Sequence, residues 1–146
     1  MVNATFATFG WPETEIAELE HWGLMLRPAQ PTLGSLVLVC KQPVTGFAEV
    51  SPDGFAELHR AISGIETMLQ GTVGYTKINY LMLMMVDPDV HFHVIPRYED
   101  AKDFEGQRYA DHGWPGPPAL GQSVTPHPNA QAALLTRLRA HWPRSV

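Results

Sequence analysis

The amino-acid sequence predicts an α+β fold with an antiparallel sheet of about five strands, one long helix and a C-terminal helix. Three observations carry that expectation. Short runs of strand formers, bounded by Gly, Pro, Asp and Ser, recur along the first two thirds of the chain. Between them lies one stretch in which apolar residues return at steps of three and four, the mark of a helix with a single buried face. The 146 residues are enough for one core, since a chain near that length buries roughly 68–70% of the surface its unfolded form exposes.

The elements follow in order. Residues 1–12 read as an irregular lead containing Gly10-Trp11-Pro12. Thr14–Leu19 and His21–Leu26 read as two short strands around Glu20, and Leu36–Cys40 as a third, with Cys40 a small core hydrophobe. Ser51 is placed to cap a helix whose first position is Pro52, where the missing N–H costs nothing. Phe55, Leu58, Ile62, Ile65 and Leu69 form its apolar stripe, which ends at Gly71. Tyr75–Val86 reads as a long strand, reversed tightly by Asp87-Pro88-Asp89 into a last strand, Asp89–Tyr98, as an antiparallel hairpin. Beyond it, residues 99–128 with Trp114-Pro115-Gly116-Pro117-Pro118 read as an irregular surface strap. Phe104, Gln107, Arg108 or Trp114 could bring that strap over the preceding sheet, in the same subunit or a partner. Asn129 is placed to cap a helix to Trp142, with Leu134, Leu135, Leu138 and Trp142 inward. The expected organisation is a core of residues 1–98 with residues 99–146 packed on the same single domain.

The chemistry concentrates in Asp89-Val90-His91-Phe92-His93-Val94-Ile95-Pro96-Arg97-Tyr98. Side chains alternate along a strand, so Asp89, His91, His93 and Ile95 share one face while Val90, Phe92 and Val94 share the other. A buried strand has no structural use for a row of an acid and two imidazoles, because unpaired polar groups cost free energy wherever water is excluded. Three readings compete: a wet outer face carrying histidines by chance, a metal site on Asp89, His91 and His93, and nucleophilic catalysis by an imidazole.

Charge and cysteine usage narrow the partners. The formal charge is −5, with ten Lys and Arg scattered singly. That argues against a nucleic-acid backbone binder and leaves a small molecule as the expected ligand. The lone cysteine can form no intramolecular bridge. No basic segment followed by an apolar run suggests a signal peptide or membrane span, so a cytoplasmic protein without membrane contact is expected.

Read outward, the polar-Val-His-Phe-His-Val-Ile-Pro-Arg pattern resembles the signature of the histidine triad (HIT) family, His-φ-His-φ-His-φ-φ followed by Pro-Arg. Asp89 takes the place of the first histidine, His91 the central one and His93 the last. Pro31–Lys41 is similar to the family's glycine- and aliphatic-rich second strand, with Gly34 matching its glycine and Ser35 standing where a histidine is common. The resemblance spans roughly residues 14–98. It implies a HIT-like fold, a homodimer joined sheet edge to edge, and a nucleotide hydrolase or nucleotidyl transferase of the diadenosine polyphosphate hydrolase or nucleoside phosphoramidate type. His91 would be the nucleophile, forming a nucleotidyl-histidine. His93, about 7 Å along the strand, would meet a phosphate oxygen or the leaving group, and Asp89 would orient His91 or contact the ribose. Arg27 and Gln30 fall in a region the family uses around the ribose. No cofactor is required, although a divalent metal can accompany substrate phosphates.

Two departures stand out. The first histidine is an aspartate, and the short Asp87-Pro88-Asp89 turn has no room for the family's Gly-rich donor loop. Donors would then come from Ser35, Arg97, Asn79 or the strap. A nucleotide-binding module without turnover is the second expectation. His21, His59, His112, His127 and His141 form no pattern.

Overall fold

A computed structural model describes residues 2–146. Its centre is a five-stranded antiparallel sheet of β1 (Glu15–Glu18), β2 (Trp22–Leu26), β3 (Leu36–Cys40), β4 (Lys77–Leu81) and β5 (His91–Arg97). The spatial order is β1-β2-β3-β5-β4, so the histidine strand lies between two neighbours and β4 forms an edge. The α+β architecture matches the sequence expectation, as does the antiparallel pairing of β4 with β5.

The sheet has two covered faces. Trp22, Leu24, Leu26, Leu36, Leu38, Cys40 and Val94 face one side, where they join Leu58, Ile65, Met68 and Leu69 of α2 (Pro52–Thr72) and Leu134, Leu135 and Leu138 of α3 (Pro128–His141) in one core. The Ser51 side chain caps α2 by accepting the Gly54 N–H at 3.0 Å. That satisfies one of the amides a helix start leaves free. Phe55, assigned to the buried stripe by spacing, is instead exposed, and the buried face runs through Glu57 and Ala61. The N-cap of α3 is His127 rather than Asn129, with Pro128 in the first turn.

The second face carries the histidines. Register pairs Val37 with His93 and Val39 with His91, so both imidazoles stand beside Met25, Val37 and Val39. The sequence reading gave residues 1–12 as an irregular lead and offered only the strap as a possible cover for this face. The chain instead forms α1 (Ala4–Thr8), whose fully buried Phe6 packs on that face. Gly23 makes the contact feasible: a Cβ there would lie 2.3 Å from Phe6 Cε2.

Two further expectations are corrected. The predicted long strand stops at Leu81, and residues 82–90 form an irregular loop rather than a tight turn at Asp87-Pro88-Asp89. Met84 adopts a positive φ of 56° within it, a conformation that breaks a strand and that side chains other than glycine rarely adopt. The strap is partly ordered as a hairpin of β6 (Lys102–Phe104) and β7 (Gln107–Tyr109). It bridges back to Gln30 through Val124. Among the described residues, no helix is long and apolar enough to cross a membrane.

Candidate active site

β5 places His91, His93, Ile95 and Arg97 on one face by its two-residue repeat. His91 is 2% exposed and His93 8% exposed, with ring centroids 5.2 Å apart and nearly perpendicular planes. Phe9, just past α1, sets its ring against both, at centroid distances of 6.4 Å from His91 and 5.8 Å from His93. The two imidazoles, Phe9, Arg27 and loop residues 83–87 enclose a cavity of about 290 Å³.

His91 is oriented by main chain. Its Nδ1 lies 2.6 Å from the Asp89 carbonyl oxygen. A carbonyl only accepts, so Nδ1 carries a proton, and in the neutral ring Nε2 keeps its lone pair. The Asp89 carboxylate does something else. It accepts the Thr5 hydroxyl at 2.8 Å and the Thr5 N–H at 3.4 Å, closing the first turn of α1. The Asp89 carboxylate therefore reaches α1, which covers the histidine face, rather than the His91 ring. The orienting contact of Asp89 to His91 comes from the backbone and not from the acid.

His93 differs from its neighbour. Burial, with the Arg27 guanidinium and the His91 ring close by, pushes its imidazole down to about 4 against an opposing effect of Asp87. The ring is neutral at pH 7. Among the described residues its buried Nδ1 has no hydrogen-bond partner, and neither has Nε of Arg27, whose Nη1 donates to the Ala29 carbonyl at 3.0 Å. Burial lowers the Arg27 guanidinium from its ordinary value, yet an arginine keeps its charge in any protein setting. The cavity thus brings together a free imidazole nitrogen, a neutral imidazole and a guanidinium.

The remaining candidates serve elsewhere. The Ser35 hydroxyl donates to the Thr32 carbonyl at 2.8 Å and accepts the Thr32 N–H at 3.2 Å. Gln30 accepts the Gly34 and Ser35 amides and donates to the Arg27 and Ser35 carbonyls. Both hold the turn that presents Gly34, whose φ of 86° suits glycine. Arg97, 4% exposed, gives Nε and Nη2 to the Asp111 carboxylate at 2.7 and 3.0 Å, Nη1 to Asn79 at 2.7 Å and Nη2 to the Gly116 carbonyl at 2.9 Å. Burial alone would raise the Asp111 carboxyl; hydrogen bonds from Arg97, Tyr98 and Gly113 outweigh it and hold the carboxyl below its usual range. Arg97 and Asn79 thus anchor the strap. Trp114, Pro115, Gly116 and Pro117 line a separate cavity with Lys77, Asn79 and Arg97, and no strap residue lines the imidazole cavity.

The donor set of the metal reading does not converge, since Asp89 turns to Thr5. Among the described residues the imidazole and carboxylate donors lying within 4.8 Å of one another are Glu20, His21 and Glu57. There Glu57 accepts the His21 N–H at 2.6 Å. Sequence reasoning missed Phe9 and loop residues 83–87 as walls of the site. A short helix gives too little periodicity to detect, and the Leu-Met-Leu-Met-Met-Val run has strand-like composition.

No family model and no curated protein matches this chain. Solved structures do. The histidine triad protein of Sinorhizobium meliloti 1021 superposes with a TM-score of 0.76 at 21% identity, covering 97% of this chain and 96% of that one. That of Marinobacter aquaeolei VT8 gives 0.75 at 19% identity, covering 97% and 95%. A hypothetical histidine triad nucleotide-binding protein of Sulfolobus tokodaii strain7 gives 0.67 at 18%, covering 94% and 91%. The chain therefore has the histidine triad fold, and its sheet, long helix and C-terminal helix are those of that fold.

Proposed function

We propose, from the histidine triad fold and the paired imidazoles within it, that this chain is a nucleotide hydrolase or nucleotidyl transferase acting at an α-phosphate through His91. The observation that carries the reading is the 2.6 Å contact from His91 Nδ1 to the Asp89 carbonyl, which in the neutral ring leaves Nε2 as the free nitrogen of a side chain that lines the cavity. A base held in one tautomer and one orientation is an activated nucleophile.

In the first step Nε2 forms a bond to phosphorus as the bond to the leaving group breaks, giving a nucleotidyl-histidine. The departing oxygen or nitrogen takes its proton from solvent or a neighbouring N–H. In the second step water attacks phosphorus, the phosphorus–nitrogen bond breaks, and the nucleoside monophosphate leaves with His91 restored. Arg27 supplies positive charge beside the phosphoryl oxygens, and His93, being neutral, serves as a hydrogen-bond donor rather than a strong acid. This division supports substrates whose leaving groups need little protonation, such as a polyphosphate, with phosphoramidates the alternative. The same reading includes an edge-to-edge homodimer along β4, to be measured by light scattering.

The test is chromatographic detection of nucleoside monophosphate from diadenosine polyphosphates and from adenosine phosphoramidate, with and without chelator. Release by the wild type that survives chelation and drops by about 10³-fold or more in His91→Ala is expected. Release that persists in His91→Ala, or that requires a metal, overturns the mechanism. Tight nucleotide binding with no release from any substrate would favour the binding module.

A further inference from the structure

Three metal-binding donors meet at the turn between β1 and β2, on the side of the sheet remote from the β4 edge. Glu20 and His21 belong to that turn, and Glu57 lies on the buried face of α2. One donor atom from each falls within 4.8 Å of the others, and His21 Nε2 stands 4.0 Å from Glu20 Oε1. A cavity of about 480 Å³ opens beside Glu20 and His21 and extends past Asn3 and Lys41. It shares no residue with the imidazole cavity.

Glu57 is the telling member, for it is only 4% exposed. One of its oxygens accepts the His21 N–H at 2.6 Å, a task that a neutral amide would perform as well. The other makes no hydrogen bond among the described residues; Arg60 Nη2 stands 4.0 Å from it, on a half-exposed side chain. Lys41, the cation of the cavity wall, is spent on the Glu18 carboxylate at 2.7 Å and the Leu19 carbonyl at 3.0 Å. A buried carboxylate without matching charge is costly. Asn3 gives a second, independent sign at the same cavity. Its Nδ2 donates to the Cys40 carbonyl at 2.9 Å, while its buried Oδ1 has no partner among the described residues. Acceptor oxygens short of a partner, beside an imidazole and an exposed carboxylate, suit a cation.

We propose that Glu20, His21 and Glu57 bind a divalent transition-metal cation, of which zinc is the representative, with its fourth position open to this cavity. One imidazole and two carboxylates are ligands such an ion accepts, and three protein ligands leave a position for water or a small ligand. Bonds of about 2.0–2.2 Å in a tetrahedral arrangement set the donors roughly 3.3 Å apart, so the cluster closes by about 1 Å on binding. Glu20 supplies that movement, since its side chain is 82% exposed. The ion neutralises both carboxylates and ties the β1–β2 turn to α2, where Trp22 Nε1 already donates to the Gly54 carbonyl at 2.8 Å. None of the three ligands lines the imidazole cavity, so the ion takes no part in the attack by His91.

Zinc binding is measured by titration calorimetry at neutral pH on the full chain stripped with chelator, in the wild type and in the His91→Ala background, which disrupts the other pair of imidazoles. His21→Ala, Glu57→Gln and Glu20→Gln are introduced into that background. A class of about one zinc per chain is expected in both proteins, weakened at least about tenfold by His21→Ala and by Glu57→Gln and several-fold by Glu20→Gln. Glu57→Gln keeps an acceptor for the His21 N–H, and circular dichroism verifies that each variant is folded. Zinc is expected to raise the thermal unfolding midpoint of His91→Ala and to leave that of the Glu57→Gln variant nearly in place. Magnesium in about hundredfold excess is expected to leave the zinc bound. No zinc binding, or a class unmoved by His21→Ala and Glu57→Gln, overturns the site. A class present in the wild type and lost in His91→Ala puts the ion on the imidazole pair and overturns it as well. Displacement by magnesium overturns the transition-metal assignment and reduces the cluster to an unselective acidic patch.

Discussion

The two ends of the histidine-bearing face contain the same kinds of groups and use them in opposite ways. At one end Arg97 meets a carboxylate, an amide oxygen and a carbonyl, and the Asp111 oxygens accept in turn from Arg97, Tyr98 and Gly113. At the other, Arg27 and His93 each keep a buried nitrogen without a partner among the described residues. Buried polar groups in folded proteins are nearly always paired, and two of the exceptions among the described residues belong to side chains that line this one cavity. The difference teaches that burial of a charge does not by itself mark a site; the completeness of its hydrogen bonding does.

The largest effect is expected at the saturated end. Asp111→Ala leaves the Arg97 guanidinium buried and uncompensated, which costs about 3–5 kcal/mol, read as a shifted midpoint in urea unfolding. Replacing both partners, as Arg97→Met with Asp111→Leu, is expected to recover much of that loss. A change within about 1 kcal/mol for Asp111→Ala would erase the contrast between the two ends.

Arg27→Met probes the unsaturated end and should behave in reverse. Stability changes little, because the side chain makes a single hydrogen bond to its own turn. Loss of charge-assisted contacts to an anionic ligand weakens binding by about 1.5–3 kcal/mol, seen as a KM raised roughly 10–100-fold with the unfolding midpoint in place. An unfolding transition lowered as far as that of Asp111→Ala would make Arg27 a structural ion like Arg97.

The smallest effect is a pH dependence. The His93 imidazole sits at about 4 in the folded chain and near ~6.5 when unfolded. Between those values the unfolded chain binds a proton that the folded chain refuses. The stability contributed by keeping His93 neutral is full above pH 6.5 and is lost as pH falls toward 4. Urea midpoints measured from pH 7 to pH 4 should fall more steeply for the wild type than for His93→Gln. Parallel profiles would show that the ring is not held neutral.

Much of this was legible in advance. The helix stripe, the strand alternation and the His91/His93 face follow from periodicities of 3.6 and 2, which depend on nothing distant. What escaped depends on tertiary partners. α1 is five residues long, too short to stand alone, and it exists because Phe6 fits over Gly23. The 82–90 loop has the composition of a strand but covers a cavity, which composition does not encode. Asn79 and Arg97 were nominated as donors to a ligand and proved to bond each other, a pairing across 18 residues invisible in the chain order. The strap's anchor, Asp111, drew no attention because an isolated acid in a Gly- and Pro-rich segment looks like any solvated loop residue.

The double use of Asp89 has a consequence for mutational tolerance. What aims the His91 ring is a peptide oxygen, an atom that every amino acid carries, so the side chain at that position is free to be exchanged as far as orientation is concerned. What the carboxylate adds is a tether to Thr5. Substitution there is read out at the amino-terminal helix before it is felt at the imidazole, and an exchange at position 5 reaches His91 through two hydrogen bonds, Thr5 to the Asp89 carboxylate and the Asp89 carbonyl to Nδ1.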